Sequence, residues 1–404
     1  MKEPARLLVS LLSATTVAAL APASAGASDE VAPDLEPTLV VAPDGDDSAA
    51  GSLDDPFATV QHAVDLAEPG DVISVRGGTY ALDDQNITID TSGTSDEPIT
   101  LTAHEGERVI IDGQDLPASS TPIGGDIPRD ERGTIHQEAS HWVVNGLELI
   151  NGPYGYYCDG CDDNVFSDLV TRENYESGFQ LQGESSDNLV LNLDSYGNRD
   201  PRKNGESADG LAIKEGSGTG NVVRGARLWD NADDGFDAWE FEDPITIVDS
   251  LVHGNGFNRW DLPDFSGDGN GFKLGGGDPA PHVAHELHNT AAWDNAADGY
   301  TDNGNHGAVS IDSSTAYDNA VDGFELDGSS GSLTDNLALD NETDVQPGEG
   351  ENTGNSWNLD TPITTDDLLS TDPSTINGPR SSDGSIPSSD YLVPADHSDI
   401  GARW

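Results

Sequence analysis

Three phrases of this 404-residue chain hold residues that could do chemistry together: Asp209-Gly210, Asp233-Asp234-Gly235-Phe236-Asp237 and Asn270-Gly271-Phe272-Lys273-Leu274-Gly275. They are variants of one short pattern, as if a single corner of a repeating structure were met on successive turns. If so, Asp209, Asp233, Asp234 and Asp237 are neighbours in space, with Lys273 beside them. Carboxylates gathered so closely repel one another unless a cation holds them. Oxygen ligands without Cys or His favour Ca2+, which accepts flexible coordination by oxygens. A lysine near a bound divalent cation has a lowered pKa, so its neutral amine can act as a base. Taken singly, an Asp-Gly is a common turn and Lys273 could merely offset Asp237. The cluster is the signal, together with the scarcity of lysine: the chain has only Lys2, Lys203, Lys214 and Lys273.

The elements that must position these residues show in a repeat. An asparagine returns at Asn174, Asn198, Asn231, Asn255, Asn295, Asn319 and Asn341, at intervals of 24, 33, 24, 40, 24 and 22 residues. A unit of about 24 residues, with several short β-rich runs and no helix, is one rung of a parallel β-solenoid. Stacked asparagines can share amide hydrogen bonds, which explains their regular return better than turn propensity alone. Aligned on this column, the residue before Gly reads Ser177, Asp209, Asp234, Asn270, Asp298 and Asp322. Two places after Gly the column reads Gln180, Ala212, Asp237, Lys273, Thr301 and Glu325. Neighbouring parallel strands lie about 4.8 Å apart. This register therefore sets Asp209 one rung below Asp234, and Lys273 one rung above Asp237.

The long intervals become regular if the extra residues fall in the turn before the Asp-Gly phrase, where two insertions would flank the middle rung and form a cleft. They carry Arg199, Arg202, Lys203, Arg259 and Trp260, local positive charge and an aromatic ring suited to an anionic sugar polymer. Solvated loop charge explains each of these residues equally well alone.

The formal net charge is -58, from 75 Asp and Glu against 17 Lys and Arg. Disorder is the usual reading of such a surplus, but periodic apolar runs to about residue 340 argue for a folded protein with a solvating acidic surface, built for high salt. Nucleic acid is excluded as a partner by this charge, and the chain is expected to be a monomer. Residues 1–25 read as a signal peptide, with Lys2 and Arg6, an apolar run from Leu7 to Leu20 and the small residues Ala23-Ser24-Ala25. That run is short for a membrane anchor, so export is expected, with no membrane attachment after cleavage. Residues 26–38 form a flexible lead-in. A strand is expected at Leu39-Val40-Val41-Ala42 and a single helix across 57–67, the solenoid occupies 39–341, and 342–404 is an irregular segment packed along it. Cys158 and Cys161 could form a local disulfide, since further metal-ligand partners are missing.

The fold class is thus all-β, a right-handed parallel β-helix with one short capping helix. At the level of motifs the chain resembles the secreted family 9 polysaccharide lyases, a group of pectate lyases with that fold. The likeness is carried by Glu206-Ser207-Ala208-Asp209-Gly210, Asn231-Ala232-Asp233-Asp234-Gly235-Phe236-Asp237 and Gly267-Asp268-Gly269-Asn270-Gly271-Phe272-Lys273-Leu274-Gly275-Gly276. The resemblance implies calcium ligands at Asp209, Asp233, Asp234 and Asp237, a catalytic base at Lys273, and β-elimination on polygalacturonate or pectin outside the cell. Arg199, Lys203, Arg259 and Trp260 stand as substrate-binding residues by position and charge alone. Two other readings remain open: a β-helix polygalacturonase using paired carboxylates, and a non-catalytic protein that grips acidic polysaccharide through calcium.

Overall fold

The computed structural model describes residues 36–404, so the expected signal peptide and most of the lead-in lie outside the described residues. From Leu39 onward the chain winds through three parallel sheets. The first, of 12 strands, runs from Leu39–Val41 to Asn352–Thr353; the second, of 10, from Gly78–Ala81 to Leu337–Leu339; the third, of 10, from Ile87–Ile89 to Thr343–Gln346. Each rung visits them in that order. Among the described residues there is one α-helix, Val60–Leu66. It is shorter than the expected span because Phe57 bridges to Val41 and the Thr59 hydroxyl caps the first turn by accepting from the His62 amide. No described helix is long and apolar enough to cross a membrane.

The asparagine column forms the corner between the second and third sheets. The Asn198 side chain donates to Asn231 Oδ1 at 2.8 Å, Asn231 to Asn255 at 3.0 Å, and Asn255 to Asn295 at 3.0 Å. Each Oδ1 also accepts the backbone N–H of the asparagine below. The residue before each asparagine turns the corner with φ near +55°: Asp230 at 57°, Asp294 at 53°, Asp318 at 51°. Asp tolerates this left-handed region better than most residues, and this is the physical content of the recurring Asp-Asn. The glycine that follows is required by close approach. A Cβ on Gly235 would meet the Gly271 carbonyl oxygen at 2.8 Å and the Asn255 amide at 2.9 Å.

After that glycine the aromatic turns inward and the next residue outward, as a pleated strand demands. Phe236, Phe272, Tyr300 and Phe324 are fully buried, and Tyr300 stacks on Phe272 at 5.0 Å and on Phe324 at 4.6 Å. Asp237 and Lys273 consequently face out of the third sheet, on neighbouring strands and in register. The solenoid outlasts the expected boundary at 341: Thr343–Gln346 pairs with Asp322–Glu325 without the Gly-aromatic phrase that marks the earlier rungs. Beyond it, Ile376, Ile386, Tyr391 and Leu392 pack over Leu251, Ala291 and Trp293. Cys158 and Cys161 are disulfide-bonded.

Candidate active site

The outward column of the third sheet reads Gln180, Ala212, Asp237, Lys273, Thr301, Glu325 by direct strand pairing. Oxygens of Asp209, Asp234 and Asp237 lie within 4.8 Å of one another, as do oxygens of Asp233, Asp234 and Asp268. Asp234 joins the two groups. Asp268, which spacing alone did not select, arrives because the 256–269 insertion folds back and the Asp268 amide donates to Asp233 Oδ1 at 2.6 Å.

Two ammonium groups enter this cluster. Lys273 Nζ is 2.7 Å from Asp268 Oδ2 and 3.1 Å from Asp234 Oδ2. Lys214, to which the sequence assigns no role, projects from the strand Leu211–Ser217 and bridges Asp209 Oδ2 at 2.7 Å and Asp237 Oδ2 at 3.0 Å. Five carboxylates against two ammonium groups leave negative charge in excess, and of the carboxylates all but Asp268 are buried.

The consequences are electrostatic. Burial drives the Asp209, Asp233 and Asp234 carboxyls above their ordinary range. Asp237 adds to the rise at Asp209 and Asp234, and the neighbouring lysines only partly counter it. Burial favours the neutral amine of Lys273, but Asp234, Asp237, Asp233 and Asp268 outweigh it and hold the lysine well above its usual pKa.

The donor set fits a hard cation. Every nearby ligand atom is a carboxylate oxygen, and two of them are buried without a hydrogen-bond partner, Asp209 Oδ1 and Asp234 Oδ2. The second faces the Lys273 ammonium at 3.1 Å yet accepts no hydrogen bond from it. Orphaned buried oxygens are costly, and a cation bound among them removes that cost.

A cleft of about 490 Å³ opens over the cluster. Its walls come from the two expected insertions, through Lys203, Ser207, Ser266 and Asp268, and from the 113–134 loop, through Asp126, Ile127 and Arg132. The three segments hold one another: the Gly124 amide donates to the Arg202 carbonyl, the Arg202 guanidinium pairs with buried Glu176, and the Ser266 amide donates to the Asn204 carbonyl.

Of the basic and aromatic residues expected to meet substrate, Lys203 lines the cleft, whereas Arg199, Arg259 and Trp260 do not. Arg199 lies over the Tyr175 ring at 4.3 Å. Arg259 turns to the corner aspartate Asp230 at 2.6 Å and over Phe257. Charge and insertion length placed them on the right loops but could not say which way each would turn. Arg132, Lys214, Trp239 and Asp268 line the cleft in their stead.

Residues 39–341 match the family described as Pel9A-like, right handed beta helix region. The chain is 46% identical over 392 residues to Pectate lyase PEL9 of Emericella nidulans, across 91% of this chain and 95% of that protein. It is 30% identical over 357 residues to Pectate lyase L of Dickeya chrysanthemi, across 86% of this chain and 81% of that one. Among solved structures, pectate lyase Pel9A matches with a TM-score of 0.79 at 27% identity, covering 90% of both chains. A structure named Rhamnogalacturonan lyase matches at 0.76 with 24% identity, a likeness of fold, over 91% of this chain and 99% of that one.

Proposed function

This chain belongs to the Pel9A-like right-handed β-helix family, and from that membership we infer a pectate lyase that cleaves α-1,4-linked galacturonan by β-elimination, with calcium as its metal and Lys273 as its base. The observation that carries the reading is the lysine itself. Lys273 stands in register beside Asp237, over a buried excess of carboxylate, in the wall of a cleft.

Asp209, Asp233, Asp234 and Asp237 would hold the metal, and the orphaned oxygens of Asp209 and Asp234 support that assignment. Bound there, Ca2+ would offset the carboxylate excess, neutralise the substrate's uronate group and stabilise charge that develops as C5 loses its proton. Lys273 takes the C5 proton. The C5–H electron pair becomes the C4–C5 double bond, and the C4–O bond breaks with its electrons leaving on the glycosidic oxygen, which takes a proton from water. The base must be neutral for the first step, so the carboxylates that keep Lys273 protonated have to be countered before it can act. Lys203, on the cleft wall, offers charge to the polymer's carboxylates. A polymeric plant-wall substrate fits an enzyme acting outside the cell.

The test is incubation with polygalacturonate at alkaline pH, with calcium or with a chelator, following the ultraviolet absorbance of unsaturated uronate. We expect absorbance that rises with calcium and vanishes with chelation. Reducing ends released without absorbance would replace the lyase by a hydrolase, and polymer retention without any cleavage would leave only a binding protein.

A further inference from the structure

We propose that Arg132 forms a carboxylate-recognition subsite on the N-terminal side of the Asp cluster, which receives the free carboxylate of a uronate sugar other than the one undergoing elimination. This rests on the reading of the cleft as a galacturonan site and adds to it a position at which the polymer must be unesterified.

Of the cations lining the cleft, Lys203 donates to the Ser207 hydroxyl at 3.1 Å and is exposed, while Arg202 is paired with Glu176, Lys214 with Asp209 and Asp237, and Lys273 with Asp234 and Asp268. Arg132 has no carboxylate within ion-pair distance among the described residues, although Glu215 and Asp126 share its cavity. Its guanidinium donates once, to the Tyr157 hydroxyl at 3.1 Å, and its Nε is buried with no partner at all. A half-buried guanidinium without a counter-charge is expensive, and in a chain with 75 acidic residues it is not for want of candidates. Its planar fork matches a carboxylate in two parallel hydrogen bonds.

The arginine is also held ready. The His136 ring stacks on Tyr157 at 5.4 Å, and His136 Nδ1 lies 3.0 Å from the Arg132 carbonyl oxygen. Tyr157 in turn donates to Gln182 Oε1 at 2.7 Å. Fixing the backbone and the hydroxyl partner lowers what binding must spend on ordering.

Geometry sets the subsite on the polymer's path. Tyr157 pairs with Gln180, Gln180 with Ala212 and Ala212 with Asp237. Three strand spacings of about 4.8 Å separate Tyr157 from Asp237, roughly 14 Å, and one cavity is lined by both Arg132 and Lys273. In the opposite direction the column offers Thr301 and then Glu325, which burial pushes up to about 7. Among the described residues that line the cleft, no cation lies beyond Lys273 in that direction.

The experiment compares wild type with Arg132→Gln and Arg132→Lys on de-esterified polygalacturonate and on highly methyl-esterified pectin. We expect Arg132→Gln to raise KM for polygalacturonate by about tenfold or more, the effect of one charged hydrogen-bonded contact. Its kcat should stay within a few-fold, its KM for esterified pectin should hardly change, and Arg132→Lys should recover part of the loss. An unchanged KM, or the same rise on both substrates, overturns the subsite. Should the Arg132 variants fail to fold, Tyr157→Phe removes the orienting hydroxyl, and the same substrate-selective rise in KM is required of it. Retardation of each variant in native gels containing either polymer reads binding without turnover. An inactive wild type would then remove the lyase reading, and equal retardation of wild type and Arg132→Gln would remove this one.

Discussion

Lys273 owes its position to pleating and its ionisation to its neighbours. Alternation along the strand turns Phe272 into the core and Lys273 out of it, while four aspartates raise the pKa that burial alone would lower. Lys273→Gln keeps most of the volume and removes the base, so we expect kcat to fall by about 10² to 10⁴-fold, with KM and the unfolding midpoint little changed; residual turnover close to wild type would take the base role from this residue. Asp234 is the other diagnostic position, because its Oδ1 already accepts from the Asn270 backbone and side chain at 2.7 and 2.9 Å while Oδ2 has no hydrogen bond. Asp234→Asn should weaken calcium binding, read as a higher calcium concentration for half-maximal activity, more than it weakens the fold. The four aspartates and Lys273 could be set on one corner from the chain because each sits at a short offset from the glycine of the repeating phrase, Asp209 and Asp234 one place before it and Asp237 and Lys273 two places after it. Asp268, Lys214 and Arg132 could not, for they reach the cleft from a folded-back insertion, from the middle of the strand Leu211–Ser217 beyond the repeating phrase, and from a loop. Arg259 turns out of the cleft for a related reason: insertion length names a loop but not the direction of its side chains, and Asp230 pairs with this one.

At the scale of elements, the corner asparagines are the structural unit that brings distant aspartates together. Asn231 accepts from Asn198 and donates to Asn255 directly above the insertion that carries Lys203. Asn231→Ala would leave buried groups unsatisfied on both neighbouring rungs, at about 1–3 kcal/mol each, and should lower the denaturant midpoint accordingly; a midpoint shift within error would reduce the ladder to decoration. The 24-residue period made this corner readable, whereas the strand Thr343–Gln346 carries no Gly-aromatic phrase by which the period could announce it. The C-terminal segment adds a pH-sensitive element. His253 stacks between Trp229 and Trp293 under that segment, with ring centroids at 6.2 and 4.5 Å, and Tyr391 packs edge-on against Trp293. Burial, helped by Arg259 and Arg227, lowers His253 to about 3. Below the ordinary histidine pKa of about 6.5 the undocked or unfolded chain takes up a proton that the docked state refuses, so stability falls as pH drops from about 6.5 towards 3 and is flat above that window. Protease susceptibility of residues 370–404 should rise across this range, and His253→Gln should flatten that part of the profile; an unaltered profile would assign the acid response elsewhere.

For the whole molecule the dominant quantity is the net charge of -58. A folded chain carrying so much charge of one sign is destabilised by its own repulsion, and the acidic substrate is repelled by the same field. Both effects are long-ranged, so both depend on the Debye length, which shrinks from about 10 Å at 0.1 M salt to about 3 Å at 1 M. The local ion pairs respond differently, since Lys214 and Lys273 contact the buried Asp209 and Asp234 where salt hardly screens them. Raising the concentration of a monovalent chloride should therefore stabilise the surface without undoing the site. The thermal midpoint is expected to climb with salt and level off near molar concentrations. The kcat/KM for polygalacturonate at saturating calcium should climb with it, chiefly through KM, because screening relieves the repulsion between polyanionic enzyme and polyanionic polymer. An enzyme that relied on steering by a basic surface would show the opposite slope. A midpoint and a kcat/KM that both stay level or fall between about 0.01 and 1 M salt would mean that the acidic surface is neutralised by something other than free ions, and that Arg132, Arg202 and Lys203 set the field the polymer meets.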